Sequence, residues 1–219
     1  MSGVGNGAGF LAQHAEEIRT LTFEHLWLTG AAMLCAAAIG IPVGIWLTRH
    51  PRWAKPVLGF VNIVQTIPSL AMFGFLLPLP WLGERAARIA IVALTGYALL
   101  PIIRNTYAGI RGVDRTVTEV ARALGMTDMQ RLFKVDLPLA AGFILAGLRT
   151  ATVACVGIAT IAAAVGAGGL GEFIFRGVAS VDNRLVLAGA VPAALLALGA
   201  DALLGLVEHW VRVPGAGRK

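Results

Sequence analysis

The sequence predicts an all-α integral membrane protein with five membrane-spanning helices, or at most six. Three observations predict it. The 219-residue chain is 57% hydrophobic and only 14% charged, with a mean hydropathy of +0.77. Soluble domains carry roughly 45–50% apolar and about 25% charged residues. A soluble core of this size could not hide so much apolar surface, so lipid must solvate much of the exterior. The apolar residues also gather in runs near the roughly 20 residues that a helix needs to cross the hydrocarbon. Finally, the basic residues fall in the short links between those runs.

The first run is Leu26 to Leu47. The preceding Met1–Thr20 stretch has neither a basic n-region nor an apolar h-region, so no cleaved signal is expected. Its glycine-rich start (Gly3, Gly5, Gly7, Gly9) is expected to be disordered. The second run, Val57 to Leu79, is interrupted by Gln65, Thr66, Pro68 and Ser69. The third is Ala86 to Ile103. The fourth runs from Arg149 to Ala167 with an apolar lead-in from Leu137, and the fifth from Leu185 to Val211. Gly40 and Gly44 form a GxxxG in the first run, and Ala193 and Ala197 a small-xxx-small pair in the last; both suit close helix packing.

The charge pattern orients the spans. Arg49, Arg52 and Lys55 follow the first run. Arg104, Arg111, Arg115, Arg122, Arg131 and Lys134 follow the third, and Arg212, Arg218 and Lys219 form the tail. The other links are poorer in bases. Alternation of this kind puts the basic links in the cytoplasm, the N-terminus outside and the C-terminus inside. The net charge of +6 is therefore read as this bias toward anionic headgroups and not as a nucleic-acid surface. Cys35 and Cys155 lie in apolar runs and read as small buried hydrophobes. The four histidines are scattered, and no metal spacing or cofactor motif is present.

The longest polar link, Asn105 to Asp136, carries the most information. Thr116 precedes Glu119 by three residues, and Thr127 precedes Gln130 by three. Both read as capping boxes. Val117, Val120, Ala121 and Leu124 recur at helical spacing, and Gly125 fits a left-handed stop. Met129, Leu132 and Phe133 repeat the pattern. Pro138 pushes Leu137 out of the helical region and marks the exit. The expectation is two short amphipathic helices hinged at a glycine. They could lie on lipid or dock a partner; the residues alone leave both open.

Glu119-Val-Ala121-Arg-Ala-Leu-Gly125, followed by Asp136-Leu-Pro138, resembles the coupling signature of ABC-importer permeases, with Val120 where an alanine usually stands. Four further strings, Val64–Leu70, Tyr97–Thr106, Gly109–Asp114 and Gly166–Gly171, are similar to the glycine betaine/carnitine/choline (osmoprotectant) branch. The resemblance implies a type I ABC importer fold, like that of methionine permeases, in a bacterial plasma (inner) membrane. It implies residues 1–25 outside, a permease domain over 26–211 with a coupling loop at 105–138, and a cytoplasmic tail at 212–219. It assigns ATPase coupling to Glu119, Ala121, Gly125, Leu137 and Pro138. The partners it implies are cytoplasmic ATPase subunits that hold the ATP, a second permease copy or paralogue, and an extracytoplasmic solute-binding protein. The chain itself would be non-catalytic and without a cofactor.

Gly166, Gly168 and Gly171 match GxGxxG, but they follow a span, so the motif reads as a tight turn and not a dinucleotide site. No GxxxxGK[ST] occurs, so the chain has no P-loop. Gln65, Thr66, Pro68 and Ser69, with Tyr97, are candidates for the translocation pathway; the competing reading is a packing kink with internal hydrogen bonds. Arg149 and Asp201 are a candidate intramembrane ion pair, with snorkelling of Arg149 as the alternative. Competing functions are a permease for another small solute, such as an amino acid or sulfonate, a secondary transporter, or a membrane enzyme. The last two would need ion-coupling repeats or a catalytic cluster, and neither is visible.

Overall fold

A computed structural model describes residues 13–80, 82 and 85–211. The glycine-rich start and the tail 212–219 lie outside them. The described residues form helices and no strand. Four helices are long and apolar enough to cross a membrane: α1 (Ala15–Arg49), α4 (Ala86–Arg111), the continuous helix Asp128–Val165, and α9 (Asn183–Val211). A fifth crossing is available only as a broken pair, α2 (Pro51–Thr66) and α3 (Ser69–Leu76), which bend by 97° at Ile67 and Pro68. The second apolar run is therefore not one straight span.

α1 begins at Ala15, well before the expected start at Leu26. Glu16 and Glu17 occupy its first turn, where carboxylates oppose the helix dipole, and Glu16 pairs with Arg19. Its 35 residues extend about 52 Å, longer than the hydrocarbon is thick, so one end protrudes. The part of segment 1–25 that is described is thus mostly helix. Pro51 then starts α2, where its missing N–H costs nothing.

α4 is the central helix. Half of its apolar window is buried, against 6% for α9. Its close neighbours are α1 and α7 (Leu137–Ala162), and their contacts depend on glycine. A Cβ at Gly40 would lie 2.8 Å from an Ile102 methyl, and one at Gly44 would lie 2.6 Å from the Thr106 Cβ. The GxxxG of α1 is therefore a seam against α4. On the other side, a Cβ at Gly147 of α7 would lie 2.7 Å from the Asn105 Cβ. The resulting core holds Leu28, Ala32, Ala36, Phe73, Ile89, Leu94, Ile102 and Cys155. In α9, Ala193 and Ala197 lie beside α7 and α8 (Gly171–Ser180), and Ala193 is buried with Leu170, Phe173 and Ala188. The two alanines line an apolar groove of about 240 Å³ between α7, α8 and α9. Cys155 is buried as expected, but Cys35 is exposed on the outer face of α1.

The GxGxxG segment is a tight turn. Gly166, Gly168 and Gly169 all take positive φ, between the 3-10 turn Ala163–Val165 and the start of α8. No strand precedes it among the described residues. A Cβ at Gly171 would fall 1.9 Å from the Thr160 carbonyl oxygen, so the closeness of α8 to α7 requires glycine there.

Candidate functional site: the coupling loop and the polar residues at membrane depth

After α4 the chain turns at Gly112 into α5 (Arg115–Ala123). The cap of α5 is Asp114, whose Oδ1 accepts from the Thr116 N–H at 2.8 Å. This corrects the Thr116–Glu119 capping box. Asp114 is a strong cap standing two residues earlier, so Thr116 falls inside the helix and has no vacant cap position to fill. Glu119 instead lies 3.5 Å from Arg115, one turn back, with both side chains largely exposed.

α5 ends on Gly125 at φ +76°. The Gly125 N–H donates to the Arg122 carbonyl and the Met126 N–H to the Ala121 carbonyl, a Schellman closure that satisfies the last carbonyls of the helix. Thr127 then caps α6 (Asp128–Arg131). Its hydroxyl accepts from the Gln130 N–H at 3.3 Å, and the Gln130 side chain accepts from the Thr127 N–H at 2.9 Å. The second capping box is thus present.

The exit from the loop differs from the expectation. Leu137 is helical at φ −67° and ψ −46°, and the chain does not break at Pro138. A π-turn, Leu132–Asp136, joins α6 to α7 in one helix, with the Leu137 N–H donating to the Leu132 carbonyl five residues back. In a regular α-helix Pro138 would clash with the Lys134 carbonyl; the wider turn accommodates the ring. The second arm of the loop is therefore the first turn of a long helix and not a separate short one.

The loop turns its apolar side outward. Val117, Val120, Leu124, Met129 and Phe133 are all exposed. Ala121 is buried at 4%, the one buried residue of α5. Leu137 packs with Ile110, Leu132 and Ala140 at the loop's base, and Pro138 is exposed. Five large apolar groups beside exposed Arg115, Arg122 and Lys134 form a surface suited to a protein partner.

Four charged residues, whose contacts the sequence did not signal, brace this loop. Arg49, at the end of α1, donates to the Asp128 carbonyl at 3.0 Å. Arg131 lies 3.4 Å from the Asp128 carboxylate and donates to the buried Asp136 at 3.2 Å. Arg49 and Asp128 are 79 residues apart, so no local spacing signals them.

At the break between α2 and α3, Gln65 donates from Nε2 to the Tyr97 carbonyl at 2.7 Å, and the Tyr97 hydroxyl donates to the Ile67 carbonyl at 2.5 Å. The Tyr97 hydroxyl thus satisfies a carbonyl that the break leaves open, and Gln65 satisfies the Tyr97 carbonyl, which Pro101 four residues on cannot bond because it has no N–H. The Thr66 hydroxyl turns back to the Ile63 carbonyl at 2.7 Å. Thr66 and Pro68 are exposed and Ser69 is half-buried. Elsewhere, Arg149 of α7 donates to both carboxylate oxygens of Asp201 on α9, and Glu208 stands 3.6 Å from the same guanidinium. Glu208 was not anticipated from the sequence. No cluster suited to a metal ion occurs among the described residues.

A helical bundle built around one central span, with an apolar-faced loop at its basic end, has the build of a transport permease. Residues 40–213 match the family described as binding-protein-dependent transport system inner membrane component, and the chain belongs to that family. It is 40% identical to the choline transport system permease protein OpuBB of Bacillus subtilis over 95% of both chains. It is 41% identical to the glycine betaine/carnitine/choline permease protein OpuCB of the same organism over 94% of both. The osmoprotectant import permease protein OsmW of Salmonella typhimurium is 41% identical over 89% of this chain and 92% of its own. The fold is also similar to that of the methionine ABC transporter MetNI in inward-facing conformations, with a TM-score of 0.78 at 24% identity, over 87% of this chain and 94% of that one. The fold is thus that of a type I ABC-importer permease, and the chain is an inner-membrane component of a binding-protein-dependent transport system.

Proposed function

We propose that this chain is the translocation subunit of an ATP-driven importer for small quaternary-amine osmoprotectants such as choline, glycine betaine and carnitine. The observation that carries the coupling role is the exposed apolar face of the 105–138 loop, which no part of the chain covers among the described residues. The solute class is supported by the permeases named for it, at 40–41% identity over nearly the whole length. The methionine transporter shares the fold at lower identity, which favours a quaternary amine over an amino acid.

In this reading the basic end of the bundle faces the cytoplasm and the N-terminus lies outside. Two permease chains, identical or paralogous, stand side by side. ATPase subunits bind the loops through Val117, Val120, Leu124, Met129 and Phe133, and a solute-binding protein delivers the solute at the opposite end. Ser69, Thr66 and Pro68, at the broken span, border the path. Gln65 and Tyr97 hold the break in shape. The permease performs no chemistry; ATP is bound and hydrolysed by the partner.

The test is co-expression with candidate ATPase and solute-binding partners, followed by reconstitution into vesicles. The expected result is stable co-purification and ATP-dependent uptake of radiolabelled choline or glycine betaine. Uptake of an amino acid in their place would overturn the solute class. Uptake without any ATPase would overturn the importer reading itself.

A further inference from the structure

α1 is bonded at both ends to parts of the chain that lie far from it in sequence. At the basic end, one terminal nitrogen of Arg49 donates to the Asp128 carbonyl at 3.0 Å, and the other lies 3.7 Å from the Asp128 carboxylate. Asp128 is the first residue of α6, so this contact falls on the second arm of the loop. The charges then alternate inward, from Asp128 to Arg131 to the buried Asp136 in the π-turn. Among the described residues the Asp136 Oδ1 has no hydrogen-bond partner, and the carboxylate is held by Arg131. At the other end, the Glu24 carboxylate accepts from the Gly169 N–H at 3.1 Å, in the turn built on three positive-φ glycines. The neighbouring His25 is fully buried, its Nε2 3.1 Å from the Val156 carbonyl oxygen.

Between those ends α1 is one continuous helix, with Pro42 inside it at the stretch held between Gly40 and Gly44. The 25 residues from Glu24 to Arg49 span about 37 Å. Its middle is pressed against α4 at Gly40 and Gly44 with no spare volume, so it cannot yield there by local repacking. The loop is joined covalently to α4 and α7; α1 reaches it through the polar contacts of Arg49 and, at the loop's base, through Ile45 packed with Ile110, Leu132 and Ala140. The turn 166–170 leaves α7 covalently and meets α1 through Glu24, with His25 against Gly169 and Leu21 packed with Leu170.

We propose that α1 is the strut that carries the loop's movement to the opposite end of the bundle. Arg49–Asp128 is its joint with the loop, Glu24–Gly169 its joint with the glycine turn, and Arg49 is a positioning residue for transport. The proposal rests on the reading that the loop docks an ATPase. With the Arg49 joint cut, the loop still docks and ATP is still hydrolysed, but α1, left with the apolar contact of Ile45, follows the loop less closely. Hydrolysis and transport then separate. An exposed ion pair contributes little to folding, so its removal leaves a folded protein in which that separation can be measured.

The experiment uses the complete transporter in vesicles, with uptake of radiolabelled choline and ATP hydrolysis measured in the same preparation. Arg49→Ala is expected to lower uptake per ATP by about fivefold or more, the scale of a typical coupling between sites, with co-purification of the ATPase unchanged. Asp128→Ala should lower it less, because the carbonyl acceptor remains. The double variant should match Arg49→Ala, since the two residues form one joint. Arg49→Lys, which keeps a charge and a donor, should recover most of the ratio. Glu24→Ala should lower the ratio as well. A wild-type ratio in Arg49→Ala, or losses that simply add in the double variant, would overturn the Arg49 joint, and a wild-type ratio in Glu24→Ala the distal one. Loss of the ATPase from Arg49→Ala would overturn transmission in favour of docking. If the wild-type complex itself fails to co-purify, the docking reading fails instead.

Discussion

Arg149 of α7 holds both carboxylate oxygens of Asp201 on α9, at 2.5 and 2.6 Å. The guanidinium lies against Gly205, where a Cβ would stand 3.2 Å from it, and reaches Glu208 one turn further on. A planar fork meeting a carboxylate in this way fixes the rotation of α9 against α7 as well as its distance. α9 needs such a fixture, because few of its residues are buried.

Removing Arg149 takes the cation away from two carboxylates at membrane depth, Asp201 and the buried Glu208. Arg149→Met is therefore expected to lower the thermal midpoint of the detergent-solubilised protein more than the double variant Arg149→Met/Asp201→Met does. Thermal unfolding followed by fluorescence would check the order; a double variant less stable than the single one would contradict it.

Gly125 has open space where a Cβ would go, so the cost of replacing it is conformational alone, about 1–2 kcal/mol for a left-handed L-residue. Gly125→Val should insert at normal abundance yet lose ATPase co-purification and uptake together. Gly125→Asn, which tolerates the left-handed region, should retain both. Full uptake by the valine variant would remove the loop from the coupling role.

Orientation has a direct readout. A reporter active only outside the cytoplasm should be active when fused near Asp182 and silent near Arg131. The reverse pattern would invert the bundle and detach the loop from any cytoplasmic ATPase.

The broken span separates two kinds of residue. Tyr97→Phe removes the donor to the Ile67 carbonyl, a loss of about 1 kcal/mol, and should lower the thermal midpoint by a few degrees. Gln65→Leu should do the same. Ser69→Leu is expected to leave the midpoint unchanged but to cut solute uptake. Undiminished uptake in Ser69→Leu would move the path away from the break.

Local features were readable from the sequence wherever neighbours along the chain decide them. Gly125 and the Thr127–Gln130 box close on residues three to five positions away, and helical spacing alone brings Gly40 and Gly44 onto one face. The first capping box was misplaced because Thr116 and Glu119 have its spacing, while the helix in fact starts two residues earlier, where Asp114 takes the Thr116 N–H. The continuous helix through Pro138 was hidden because the extended bias of a residue before proline is a preference that Leu137 does not follow here, and the π-turn removes the separate clash of the ring with the Lys134 carbonyl. The brace from Arg49 to Asp128 joins segments brought together only by the packing of α1 and α7 around α4. The meeting of Gln65 with Tyr97 likewise depends on how sharply two short helices bend.

The π-turn at 132–136 also makes the loop's angular setting a matter of residue count. Each residue in a helix turns the chain by about 100°. Deleting one residue there would return the turn to α-geometry, drive Pro138 into the carbonyl four residues before it, and swing Met129 roughly a quarter-turn from its present direction relative to α7. Length changes in this segment should therefore be far more damaging than any single exchange of side chain, because they alter the pitch of the arm and not merely its surface.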